Sequence, residues 1–97
     1  MIIQLTYELK DSDRDYSNLY THIESLGNAI HFLKDAWWIE IKDDSINLST
    51  ILEDIRKNMG ETDLFHVVDI SNMQTDGWLA KSSWDWLKLR SDISSKK

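Results

Sequence analysis

The sequence predicts a single α+β domain, in which a four-stranded sheet carries two helices on one face and a third, tryptophan-rich helix follows. Two kinds of pattern support this prediction: segments whose apolar residues alternate, and segments whose apolar residues recur every three or four positions. The chain has 97 residues, which is the size of one domain. Its 41% hydrophobic and 29% charged residues form a globular composition with enough apolar side chains for one core.

The first half of the chain predicts a strand, a helix and a hairpin. Apolar residues alternate over 2–9, which indicates a half-buried strand. A stripe at helical spacing follows, and Gly27 is expected to end that helix as its C-terminal cap. The sequence predicts two more strands, at residues 29–33 and 36–42, with the turn Lys34-Asp35 between them. Together they form a predicted β-hairpin.

The second half predicts a helix, a strand and a last helix. An apolar helical stripe covers residues 48–59, and the spacing of Thr50 and Glu53 is that of a capping box, which favours a helix start near Thr50. Residues 64–70 predict the fourth strand, and a second capping-box spacing, Ser82 to Asp85, predicts the start of the last helix. The predicted domain spans residues 1–90, and residues 91–97 are expected to form a frayed tail.

The predicted order β-α-β-β-α-β is that of a ferredoxin-like sandwich, here with an extra C-terminal helix. Right-handed crossovers place strand 1 between strands 3 and 4, with strand 2 at the far edge. Strands 2 and 4 are then the natural edges for pairing with a second copy, although exchange of the last helix through Gly77 is an equally open route to a dimer.

Composition excludes several kinds of site. The chain has no cysteine and three histidines, which removes disulfides and thiolate metal sites and makes the usual zinc sites improbable. The net charge of -6 disfavours nucleic acid as a partner, because such binding draws on cationic contacts with phosphates. The N-terminal residues MIIQLTYELK lack the features of a signal or membrane helix, so we expect a cytoplasmic protein without a membrane partner.

Three aspartates in the loop after the first strand form the strongest metal-site motif. Asp11, Asp13 and Asp15 match the first three ligand positions of an EF-hand loop. Tyr16 stands where that loop needs glycine, and His22 stands where it needs a bidentate glutamate. The sequence therefore favours helix capping and a solvated loop over a metal site.

Glu8 is the other carboxylate of interest, because it ends the first predicted strand beside that acidic loop. In a dimer, two such carboxylates could face each other across a cleft and hold Mg²⁺. The simpler interpretation is a surface residue of an alternating strand. No cofactor is expected unless this Mg²⁺ site exists.

Five tryptophans in 97 residues are the compositional anomaly. Alternation assigns Trp37 to the core and Trp38 to the opposite sheet face, while the other three lie around the last helix. Packing of that helix on the open sheet face, a protein interface and base stacking all remain possible uses. Our candidates for partner contact are Trp38, Trp84 and Trp86.

Four segments that together span nearly the whole chain carry a family resemblance: LTYELK, YSNLYTHIESLGNAIHFLKDAWWIEI, FHVVDI and GWLAKSSWDWL. They resemble the SinR-like family of small bacterial and phage proteins, which is distantly similar to the ferredoxin-like CRISPR adaptation subunit and to VapD-type ribonucleases. The resemblance implies a ferredoxin-like fold and a homodimer. Some of those relatives are metal-dependent nucleases whose metal-binding aspartate ends the first strand, where this chain has Glu8.

Three functional hypotheses follow. The favoured one is a non-catalytic, homodimeric protein-interaction module, which in a phage or mobile element could inhibit a host defence or nucleic-acid enzyme by imitating phosphates with acidic side chains. The alternative is a metal-dependent nuclease of the adaptation-subunit or VapD type, with Glu8 as the catalytic metal ligand assisted by Asp11 or Asp13. A DNA-binding scaffold without catalysis is the third.

Overall fold

A computed structural model describes residues 1–43 and 45–95, with side chains up to residue 90. In chain order the described elements are β1 (Ile2–Glu8), α1 (Ser17–Ser25), β2 (Gly27–Leu33), β3 (Ala36–Ile41), α2 (Leu48–Arg56), β4 (Leu64–Asp69) and α3 (Lys81–Ser95). The predicted α+β class is confirmed. The side chains of 91–95 and all of residues 96 and 97, on which the predicted frayed tail falls, lie outside the described part of the chain.

The described strands form one antiparallel sheet in the order β2-β3-β1-β4. In the centre of the sheet, Leu5 of β1 lies between Trp37 of β3 and Val67 of β4. A bulge interrupts the β2–β3 ladder between Ile30 and Leu33. Since β2 and β4 are the outer strands, each leaves one backbone edge without a strand neighbour among the described residues.

The main core lies between one sheet face and the helices α1 and α2. Alternation places every second residue of β1 and β3 on this face, as the sequence predicts. The fully buried members are Ile3, Leu5, Leu19, Ile23, Ile39, Ile51 and Ile55. Trp37 belongs to the same core, where its indole N–H donates to the hydroxyl of Tyr7 at 3.0 Å.

A second, smaller core lies on the opposite sheet face, beneath α3. Trp38 is at its centre with 2% of its surface exposed, and its ring stacks on Phe32 with 3.9 Å between centroids. Trp84 and Trp86 of α3 each lie with their ring centroids 6.2 Å from that of Trp38. Trp38 is therefore buried by packing within the chain. Trp84 and Trp86 are each buried in part by the same packing.

Arg90 fixes the far end of this helix to the sheet. Its Nε lies 3.2 Å from Glu40 Oε1 on β3, and its guanidinium lies 4.2 Å from the ring centre of Trp86. The same Glu40 oxygen also accepts a hydrogen bond from the side-chain amide of Asn28 on β2. The helix is thus held by aromatic packing along its length and by an ion pair near residue 90.

Three predicted boundaries are wrong. Gly27 does not cap α1 but is the first residue of β2. Glycine is needed there because a β-carbon would collide with the carbonyl oxygen of Glu40 on the neighbouring strand. The helix α2 begins at Leu48, since the side chain of Asn47 accepts from the backbone N–H of Thr50 and replaces the expected capping box. The last helix begins at Lys81, before the predicted Ser82–Asp85 box.

Candidate functional site

A cleft of about 530 Å³ lies beside the second core. One wall is the sheet face formed by the ends of β1, β2 and β3, and the other is the irregular segment 73–80 that leads into α3. The segment leaves β4 at one end of the sheet and returns to the other end before the helix starts. The cleft therefore exists because the sheet face is wider than the helix that covers it.

Aromatic rings form the floor of this cleft. Phe32, Trp38 and Trp84 line it from three different elements, and the stacked pair of Phe32 and Trp38 fixes the orientation of two of these rings. Stacked rings in a second core resist movement, because each loses contacts if the other rotates. The floor of the cleft is therefore a closely packed apolar surface.

Polar groups from β1 lie beside that floor. The side chain of Gln4 lines the cleft, and its Oε1 accepts from the indole N–H of Trp38 at 2.9 Å. This hydrogen bond orients the amide and leaves its two N–H donors for a ligand. Thr6, two residues further along the same face of β1, adds a hydroxyl.

Trp78 borders the cleft and is fully exposed, with 100% of its surface open to solvent. It follows Gly77, whose φ of 157° is an unusual backbone conformation and whose N–H donates to Asp76 Oδ1 at 2.8 Å. A wholly exposed indole leaves about 200 Å² of ring surface in water, which is unfavourable for a side chain that folded proteins normally bury. This residue is the feature of the surface that most needs a partner.

Sequence analysis did not single out Trp78 as a contact residue. It assigned that role to Trp38, Trp84 and Trp86 instead. Trp38 is covered by α3 and offers a partner almost no surface in this conformation, whereas Trp84 and Trp86 are half-buried and keep accessible edges. The turn-rich stretch before Trp78 could have identified it as an exposed residue. A tryptophan that follows such a stretch belongs to no helix or strand face that packs on the core.

The candidate metal ligands do not converge, and none of them lines the cleft, although Glu8 follows Thr6 on the same face of β1. Glu8 Oε2 is 3.7 Å from Lys10 Nζ, and its side chain is 67% exposed. Asp11 Oδ1 accepts from the backbone N–H of Asp13 at 3.1 Å, which stabilises the loop locally. Among the side chains of residues 1–43 and 45–90, no group of three or more histidine, aspartate or glutamate residues is placed to hold a metal ion.

Asp15 acts as the sequence suggests for this acidic loop. Its carboxylate accepts from the backbone N–H of Ser17, the first residue of α1, at 2.9 Å. That hydrogen bond lowers the pKa of Asp15. The N-cap of α1 is Tyr16, which makes no side-chain cap hydrogen bond, so Asp15 satisfies the first helical N–H from the position before the cap.

Asp63 is a buried carboxylate that sequence analysis missed. It accepts from the backbone N–H groups of Lys10 and Gly60, each at 2.7 Å, and from the hydroxyl of Tyr16 at 2.8 Å. Burial alone would raise the pKa of Asp63, but these hydrogen bonds and the charge of Arg14 outweigh it and hold the pKa below its usual value. Its contacts tie two loops together, so its role is structural.

Comparisons of the chain with protein-family models, with curated proteins and with solved structures find no match. No helix in the described part of the chain is both long enough and apolar enough to cross a membrane.

Proposed function

We propose that this chain is a non-catalytic protein-interaction module that binds its partner at the aromatic cleft and Trp78. The observation that carries the proposal is the full exposure of Trp78 beside a cleft whose floor is made of stacked rings. Tryptophan is among the residues that contribute most to binding at protein interfaces, because one ring buries a large area at a small entropic cost. A partner that covers Trp78 gains this energy at a site that is already formed.

The arrangement also suits binding better than catalysis. The cleft is lined by amide, hydroxyl and aromatic groups, with Asp76 as the one titratable side chain among its described lining residues. Acid–base catalysis usually needs two groups of different pKa, and nucleophilic catalysis needs a base beside the nucleophile. Recognition needs neither.

The proposal includes a homodimer of ferredoxin-like sandwiches, each with an extra C-terminal helix, as the resemblance to the SinR-like family implies. The strand β4 favours this assembly, because its residues LFHVVD contain neither lysine nor proline to block pairing. The N–H of Ile70 donates to Ile2, so by alternation the N–H groups of Phe65 and Val67 point away from β1. The other edge, β2, is less suitable because its bulge lies within the strand.

Affinity capture with wild-type protein and two variants tests the proposed docking surface. Trp78→Ala removes the fully exposed ring, and Leu52→Ala removes an apolar side chain that is 40% exposed from α2 on the other sheet face. We expect a protein partner that is retained by wild type and by Leu52→Ala and is lost with Trp78→Ala. Partners that bind all three forms equally would contradict a docking role for Trp78.

A further inference from the structure

The cleft beside Trp78 combines aromatic rings with the carboxylate of Asp76. Its floor presents the half-buried rings of Phe32 and Trp84 above the buried Trp38, and Trp78 stands at its rim. Aromatic faces carry partial negative charge, so they attract cations, and tryptophan does so most strongly. Several rings around one space are typical of sites that receive an ammonium or guanidinium group.

The charge of the cleft also favours a cationic ligand. Asp76 is the one charged side chain among the described residues that line it. Its Oδ1 accepts from Gly77, which holds the carboxylate at the rim, and Oδ2 remains for a ligand. Lys81, the first residue of α3, does not line the cleft, and its Nζ lies 2.8 Å from Asp85 Oδ2.

The whole chain adds to this preference, since its net charge of -6 attracts basic partners and repels acidic ones. Nucleic acid could also stack on the rings, but it would bring its phosphates next to Asp76 without a cationic lining residue to neutralise them. A purely apolar segment would bury the Asp76 carboxylate without a partner, which is costly. A cationic side chain avoids both costs.

We propose that the cleft binds an arginine or lysine side chain from a basic segment of the partner protein, with the charged group between Asp76 and the rings. This inference rests on the proposed function and specifies the chemistry of its ligand. Gln4 contributes to the same site, because its oriented amide can contact the backbone of the bound segment.

Nuclear magnetic resonance titration of the free protein tests this chemistry directly. The probes are hexa-arginine, hexa-lysine, hexa-glutamate and an uncharged glycine–serine hexapeptide. We expect the two basic peptides to shift the indole N–H signals of Trp78 and Trp84 and the backbone signal of Gly77 in a saturable manner, and the other two to leave them unchanged. Added salt should weaken the binding, since the contact is partly electrostatic.

Three variants distinguish specific binding at the cleft from nonspecific attraction between opposite charges. We expect Asp76→Asn to weaken hexa-arginine binding about two- to fivefold, the range of an exposed ion pair. We expect Trp78→Ala to weaken it by a similar amount, about two- to fivefold, the range of an exposed cation–π contact. Glu53→Gln removes the same charge from the exposed surface of α2 and should change nothing. Equal weakening by Glu53→Gln and Asp76→Asn, or equal shifts with the uncharged peptide, would overturn the inference.

The two proposals fail in different ways. Binding of the uncharged peptide at the cleft would reject the cationic ligand while leaving a docking surface at Trp78. If Trp78→Ala retains every partner in the capture experiment, the docking surface itself is rejected. That conclusion does not depend on the result of the peptide titrations.

Discussion

Single side chains hold the loops of this protein in place, and Asp63 does so more than any other described residue. Its two oxygens accept hydrogen bonds from two loops and from Tyr16, and only 5% of its surface is exposed. A buried carboxylate is stable only when it is compensated in this way, because the charged form loses its hydration. Its pKa is accordingly lowered despite the burial.

Asp63→Asn should therefore destabilise the protein by about 2–3 kcal/mol, because the amide cannot accept from all three donors and leaves at least one unsatisfied. Urea unfolding at neutral pH measures the change. Asp85→Asn is the matched control: it breaks a surface ion pair whose aspartate is 56% exposed, and we expect a change within about 0.5 kcal/mol. Equal effects of the two substitutions would mean that the Asp63 contacts contribute little.

The stability difference between wild type and Asp63→Asn should depend on pH. Because the pKa of Asp63 is lower in the folded than in the unfolded protein, its contribution is fully present above the ordinary aspartate pKa of about 4 and is lost as pH falls further. Unfolding measured between neutral and strongly acid pH should show the gap between the two proteins narrowing below about pH 4. A gap that stays constant would contradict a lowered pKa.

Residue-scale features of this kind were only partly predictable. Alternation identified the buried side of β1 and assigned Trp37 and Trp38 to opposite faces, because a strand has a strict period of two. The hydrogen bond from Trp37 to Tyr7, and the raised pKa that burial gives the Tyr7 hydroxyl, needed the β1–β3 register. Gly27 was misassigned because close approach of a neighbouring strand leaves no trace in the local sequence.

At the scale of elements, α3 decides what the second sheet face can do. It packs through Trp84, Trp86 and Leu87, while the segment before it has neither helix nor strand structure over residues 73–80. Such a connection places little constraint on the helix, so the side chains beneath it and the Arg90–Glu40 pair must hold it. The helix is therefore expected to be among the less stable elements of the domain.

Leu87→Ala should loosen α3 without unfolding the main core. Leu87 is 8% exposed and contributes to the second core, so its truncation should cost roughly 2–4 kcal/mol locally. Hydrogen exchange should show faster exchange for the amides of α3 and unchanged rates for β1. Leu89→Ala is the matched control, because Leu89 lies on the same helix with 73% of its surface exposed and should have no effect.

If Leu87→Ala and Leu89→Ala accelerate exchange in α3 equally, the helix is not held by the second core.

The sequence did predict a last helix that contains Trp84 and Trp86, from the capping-box spacing of Ser82 and Asp85. It left open whether the helix would cover its own sheet, and the structure places it there. That choice depends on contacts between residues far apart in the chain, which local patterns do not encode.

At the scale of the whole molecule, one sheet face is filled by α1 and α2 and the other is shared between α3 and open surface. The open part includes the outer strand β4, where Leu64 is 57% exposed and His66 is exposed as well. The sequence predicted the elements from which this asymmetry arises. It could not predict the cleft, because the cleft depends on the path of a segment without regular structure.

The proposed dimer through β4 predicts that His66→Lys will weaken self-association by at least about tenfold, because like charges would meet near the two-fold axis. Sedimentation or light scattering over a range of protein concentrations measures this change. Leu52→Lys introduces the same charge on α2 and should leave the association unchanged. A wild-type protein that remains monomeric, or equal effects of both variants, would contradict pairing through β4.

The most direct test of the proposed function is site-specific photo-crosslinking in the native cell. A photoreactive phenylalanine analogue replaces Trp78 in one protein and Leu52 in another, since both positions are exposed but lie on different elements. Our account predicts a discrete crosslinked protein from position 78 that is absent from position 52. No crosslink at position 78, or the same products from both positions, would contradict the claim that Trp78 and its cleft form the binding surface.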